Sequence, residues 1–160
     1  MKYLPFEHII YRTNLSEEEI LAKISEFVEA KKFRFNNKPT KDFEGFSTDH
    51  SFEISRIIKG RNSFLPQISG VIQKNNYETQ IEVKMTLHWF VSIFLLFWCC
   101  FVLLFFIAAF VTEEKISMNF FIPIFMLLFA YILTMCGFKS ESKKSKEYLK
   151  RNFEAKIIKE

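Results

Sequence analysis

The feature that most constrains this chain is a run of 25 residues, 87–111, that contains no charge. Only His88 and Ser92 are notably polar, and 17 of the positions are Leu, Ile, Phe or Val. As an α-helix the run would extend roughly 37 Å, enough to cross a hydrocarbon layer of about 30 Å with some tilt. At about 0.3–0.6 kcal/mol per apolar residue near the helix centre, insertion is favoured by at most roughly 5–10 kcal/mol. His88 and Ser92 do not offset that. A helix buried in a soluble core would be shorter and would show a polar face. A second run, 120–138, has 19 uncharged residues, with Pro123 in its first turn where the missing N–H costs little. The connection 112–119 is short, so the two helices must run antiparallel. Residues 87–138 are expected to form a two-helix transmembrane hairpin.

Charge sets its orientation. Residues 1–86 carry 13 Lys+Arg and 12 Asp+Glu, whereas 139–160 carry 8 basic and 4 acidic residues. Lys84 precedes the first helix, and Lys139, Lys143, Lys144 and Lys146 follow the second. Glu113 and Glu114 make the connecting loop acidic. The excess of positive charge therefore places both termini in the cytoplasm, and the basic tail is expected to face anionic lipid rather than nucleic acid. Pro5, Glu7, His8 and Arg12 interrupt any apolar run that could serve a cleavable signal peptide. Neither helix holds an Asp, Glu, Lys or Arg, which weighs against an ion or proton pathway. Cys99, Cys100 and Cys136 all lie in the apolar runs; an odd count without Cys-x-x-Cys spacing yields no disulfide framework and no zinc site.

About 86 residues remain for one modest folded core. Phe6 to Thr13 reads as a strand. Ser16-Glu17-Glu18-Glu19 is a capping box, followed by Ile20, Leu21, Ile24, Phe27 and Val28 at helical spacing, which predicts a helix to about Ala30. Strands are expected over 42–48, with a bulge at Gly45, and over 52–58, 67–74 and 79–86, with an Asn75-Asn76 turn before the last. The expected fold is an α+β cytoplasmic domain, an antiparallel sheet with one buried face covered by a helix. Residues 139–160 are read as a basic amphipathic helix, with Leu149, Phe153 and Ile157 recurring every fourth residue. It is expected to dock on 1–86 rather than lie on lipid, because Glu147, Glu154 and Glu160 dilute its positive face. No flexible spacer separates Thr86 from Leu87, so sheet and hairpin should be mechanically coupled.

The search for chemistry excludes more than it finds. Asp49-His50-Ser51 has the letters of a triad, but neighbours in a strand or tight turn point in different directions. His88 and Trp89 sit where the bilayer interface should be and read as interfacial contacts. The four glycines form no phosphate-cradling loop, and no enzyme or cofactor is expected. Arg56, Lys59 and Arg61, beside Asn62 and Ser63, could meet an anion or lipid headgroup, as could Lys31, Lys32, Arg34 and Lys38, and Lys143 and Lys144 after the hairpin. A solvated basic surface is the plainer reading. Phe64-Leu65-Pro66 is an apolar loop tip that could enter the lipid interface or plug the domain's own core.

The run from Phe52 through Arg56, Lys59-Gly60-Arg61 and Phe64-Leu65-Pro66 to Gly70 carries a resemblance. So do Thr79 to Met85 entering a membrane helix, and Gly137 to Ser145 leaving one. Together they resemble a group of small uncharacterised bacterial two-transmembrane-helix proteins, Bacteroidetes-like, with no assigned activity. The resemblance implies the bacterial cytoplasmic (inner) membrane. The order of elements is also similar to a reduced helix-grip (START-like) domain, which would place a ligand between the sheet and the final helix. Two functions follow as expectations. One is a non-enzymatic, membrane-anchored binding module for a partner protein, lipid or small ligand. The other, similar in architecture to bacterial antiviral effectors, is a homo-oligomerising membrane effector triggered by an anionic nucleotide bound at Arg56, Lys59 and Arg61.

Overall fold

The computed structural model describes residues 3–31, 40–74, 78–112 and 121–159. Lys32, Arg34, Lys38, the Asn75-Asn76 turn and the acidic connection with Glu113 and Glu114 lie outside the described residues. The chain runs β1 (Phe6–Thr13), α1 (Glu17–Phe27), β2 (Val28–Ala30), β3 (Phe43–Ser47), β4 (Ser51–Arg56), β5 (Gln67–Lys74) and β6 (Thr79–Thr86). It continues through α2 (Trp89–Thr112) and α3 (Phe121–Asn152) to β7 (Lys156–Lys159). It is an α+β protein with a seven-stranded mixed sheet and three helices, two of them long and apolar.

The capping box forms at the start of α1. Ser16 Oγ accepts from the Glu19 amide at 3.2 Å, and the Ser16 amide donates to Glu19 Oε2 at 2.7 Å. Ile20, Ile24 and Phe27 make its buried stripe. The helix stops at Phe27, three residues before the expected end. Val28 is extended, and Val28–Ala30 pairs in parallel with Phe43–Gly45 instead. Lys41 stabilises the stop: its Nζ donates to the carbonyl oxygens of Ser25 and, at 3.0 Å, Val28. A cation on C-terminal carbonyls completes the acceptors that a helix leaves open.

The sheet order is β2-β3-β4-β5-β6-β1-β7, antiparallel except for β2 with β3. Ile9, Tyr11, Ile54, Ile68, Ile72, Ile81, Val83 and Met85 fill one face through cross-strand register, for example Ile9 opposite Val83 and Ile68 opposite Met85. Gly45 makes no bulge, since β3 and β4 stay in register from Phe43 opposite Arg56 to Ser47 opposite Phe52. The glycine is needed for close approach, because a Cβ there would stand 2.0 Å from the Glu53 carbonyl oxygen.

The C-terminal half departs most from expectation. No separate tail helix exists: α3 continues unbroken for 32 residues, from the apolar run into the sheet domain. Nothing in the sequence stops it, because Pro123 lies in its first turn and the stretch after Gly137 is rich in helix formers. Its buried positions from the end of the apolar run onward are Phe138, Glu141, Ser142, Ser145 and Leu149, one stripe at helical spacing. Ser142 and Ser145 are fully buried there. Phe153, just past the helix end, is fully buried against Tyr11, Phe27 and Phe52. Its carbonyl accepts from Thr13 Oγ1 at 2.7 Å.

The helix closes in a Schellman turn. The Ala155 amide donates to the Lys150 carbonyl at 3.0 Å, that of Glu154 donates to Arg151, and Glu154 is left-handed at φ 49°. The chain then reverses into β7, which pairs with β1 at the sheet edge. Residues 156–159, read from sequence as helix, are strand because this turn redirects the chain towards the free edge of β1.

Candidate functional site

Several of the residues singled out from sequence, Arg56, Phe64, His88 and Trp89 among them, lie at or beside the junction between the sheet and the two apolar helices. Both connections there are short. Only Leu87 and His88 separate β6 from α2, and α3 passes through without interruption. His88 caps α2: its Nδ1 accepts from the Phe90 amide at 3.2 Å and its carbonyl accepts from the Ser92 amide at 3.1 Å. Trp89, beside the His88 ring, is exposed. The exposed faces of α2 and of the first part of α3 are almost wholly apolar; Phe97 is 71% and Phe125 66% exposed. Both helices are long and apolar enough to cross a membrane.

Among the described residues, ion pairs gird α3 where its sequence turns polar. Glu141 is buried and receives Arg56 Nη1 at 3.0 Å and Lys144 Nζ at 2.6 Å. Lys139 reaches Glu7 Oε1 of β1 at 3.0 Å. Arg56 and Glu7 therefore tie both sides of the sheet to the helix. Burial makes the Arg56–Glu141 pair costly to break even where its net contribution is modest. Sequence reading missed Glu141, whose one signal is an isolated carboxylate on the apolar side of a lysine run.

The loop 57–66 lies against the same stretch of helix. Asn62 Nδ2 donates to the Gly137 carbonyl at 3.0 Å, and Asn62 Oδ1 accepts from the Phe64 amide at 2.9 Å. Phe64 packs over Gly137 and is half-buried against the core, with Leu65 half-buried and Pro66 buried. Lys59 and Arg61, in this loop, are exposed and stand apart from the ion-paired Arg56; Lys143 is exposed on α3.

The clefts among the described residues include three of note. One of about 340 Å³ lies between α2 and α3, with Phe64 on its lining and apolar walls, among them Leu95, Trp98, Phe129 and Leu133. A second, about 680 Å³, is a broad groove along the polar part of α3 with Lys143, Lys144, Lys150 and Arg151 on it. The third, about 250 Å³, lies on the outer face of the sheet near Glu44 and Glu53. Arg56, Lys59 and Arg61 line none of the three.

Two histidines do meet carboxylates, both on the surface. His8 Nε2 lies 2.9 Å from Glu82 Oε1, which Lys84 also reaches at 3.0 Å; these hydrogen bonds hold the Glu82 carboxyl below its usual range. His50 bonds to Glu17, which raises the pKa of His50. Among the described residues no group of three His, Cys, Asp or Glu is placed to hold a metal ion. Comparison with known families, with curated proteins and with solved structures finds no match to this chain.

Proposed function

We propose that this chain is a two-span protein of the bacterial cytoplasmic membrane with both termini in the cytoplasm, and that its sheet domain is a non-enzymatic binding module fixed rigidly to the bilayer. The unbroken α3 carries the reading. One helix supplies both an apolar span and the stripe Phe138, Ser142, Ser145 and Leu149 that the sheet packs on. With only two residues between β6 and α2, the domain has no slack with which to tumble on a tether. Lys84, Lys139, Lys143, Lys144 and Lys146 sit at the domain end of the helices, which favours the cytoplasmic side for that end. A sheet folded around the tail of α3 is also the arrangement expected of a helix-grip domain. Such a rigid junction suits a module that presents its surface, or a lipid, at a fixed height above the bilayer.

Two measurements test this. A fluorescent protein fused to the C-terminus in bacterial cells should fold and fluoresce in the membrane fraction, while an alkaline phosphatase fused there should be inactive; the converse pattern would invert the topology. The mass of the detergent-solubilised protein should stay fixed across a panel of cyclic nucleotides. A nucleotide-dependent jump to a defined oligomer would replace the binding module with a triggered membrane effector.

A further inference from the structure

The cleft between α2 and α3 has apolar walls, and at one end of it stands a residue of the sheet domain, Phe64. That end is the domain end. Phe64 packs on Gly137, which lies one helical turn, about 6 Å, beyond the wall residue Leu133. The cleft then descends past Phe129 to Phe125, roughly 12 Å further along the helix. On the membrane-spanning reading it therefore faces the leaflet on the domain's side. A slot of this form lies open to lipid tails and presents nothing polar to water. Above it, the loop that supplies Phe64 also carries Lys59 and Arg61, both exposed, three to five residues earlier. Arg56, by contrast, has its charge committed to Glu141.

We propose that this cleft holds an acyl chain of an anionic phospholipid whose phosphate is met by Lys59 and Arg61. Two cations meeting the headgroup would give a preference over zwitterionic lipid of roughly thirtyfold. The assignment rests on the membrane-spanning reading and supplies the ligand that reading leaves unnamed.

The chain has two tryptophans, and Trp98 lines the cleft whereas Trp89 does not. The variant Trp89→Phe therefore makes Trp98 a single reporter. The full chain is reconstituted into phosphatidylcholine vesicles with a minor fraction of phosphatidylglycerol, bromine being placed on the tails of one lipid at a time. At matched fractions, brominated phosphatidylglycerol should quench Trp98 severalfold more than brominated phosphatidylcholine. Lys59→Gln with Arg61→Gln, both at exposed positions, should remove the excess. Quenching that tracks lipid fraction regardless of headgroup, or an excess that survives the double substitution, overturns the lipid site but leaves the membrane reading standing. Absence of quenching by any brominated lipid overturns both.

Discussion

Asn62 hydrogen-bonds the carbonyl of Gly137 across 75 residues of sequence, and Phe64 lies on the same glycine. A loop of the sheet domain is thereby fastened to α3 close to the end of its apolar run. The glycine is there for space: an added Cβ would stand 2.9 Å from Phe64 Cδ2 and 3.1 Å from Asn62 Oδ1.

Two effects oppose each other in Gly137→Ala. Helix propensity favours alanine by about 1 kcal/mol, while the intrusion on Phe64 costs about 1–3 kcal/mol. The contact should win, lowering the thermal midpoint of the detergent-solubilised protein. In a Phe64→Ala background the ring contact is gone while Asn62 Oδ1 and the Cβ of residue 64 still stand at 3.1 Å, so the same substitution should cost less. A double-mutant cycle reads the difference as a coupling of about 1–2 kcal/mol. Additive effects would show that loop and helix do not touch.

Glu141 is the buried member of the girdle, and its side chain is only 10% exposed. Glu141→Gln removes the charge and leaves Arg56 facing a neutral amide, at a cost of about 1–3 kcal/mol. Lys144→Ala, at a side chain 55% exposed, should change stability by less than about 0.5 kcal/mol. The informative variant is Arg56→Met with Glu141→Leu, which should recover most of the loss because neither charge is then stranded. Chemical unfolding of the three variants separates the cases.

The parts of the fold that could be read from sequence are those set by local pattern. The capping box at Ser16, the alternation of Thr79, Ile81, Val83 and Met85, and the two uncharged runs each have one physical solution. The parts that could not be read depend on partners far along the chain. Val28–Ala30 continues a helical pattern by composition, and only Phe43–Gly45, together with Lys41 on the last carbonyls, turns it into a strand. Ile157 keeps the fourfold spacing of a helix, but Glu154 turns left-handed first. At the junction the lysines and Phe64 were visible as types. That Arg56 is spent on Glu141, while Lys59 and Arg61 are left exposed, is a fact of tertiary placement.

Tyr148 predicts an alkaline transition. Burial against Phe27 and Phe43, and then its 2.9 Å hydrogen bond to Asp42, push its pKa from the ordinary 10.0 up to about 12. A raised folded-state pKa contributes stability that is complete below the unfolded value. That contribution should be lost as pH rises from 10.0 to about 12. Tyr148→Phe keeps the ring contacts and removes the ionisation, so its stability should fall less steeply across that window. The difference in phenolate absorbance between the parent and the variant should show a tyrosine ionising near pH 12; a midpoint near 10 would mean that the phenol is not held as described.

The end of α3 offers a gain rather than a loss. Glu154 occupies the left-handed position of the Schellman turn at φ 49°, where a Cβ costs about 1–2 kcal/mol and glycine costs nothing for sterics. Against this stands its 2.7 Å ion pair with Lys23, in which Glu154 is 65% exposed, and which is therefore worth less than about 1 kcal/mol. Glycine also enlarges the conformational freedom of the unfolded chain, which trims the benefit by about 0.5–1 kcal/mol. At the middle of these ranges the balance favours Glu154→Gly by a few tenths of a kcal/mol. Glu154→Gln is the control: it keeps the strained Cβ and removes only the charge, so it should be neutral or slightly destabilising. A rise in thermal midpoint for glycine but not for glutamine would locate the strain in the backbone. Equal shifts for both would assign it to charge and contradict the left-handed turn.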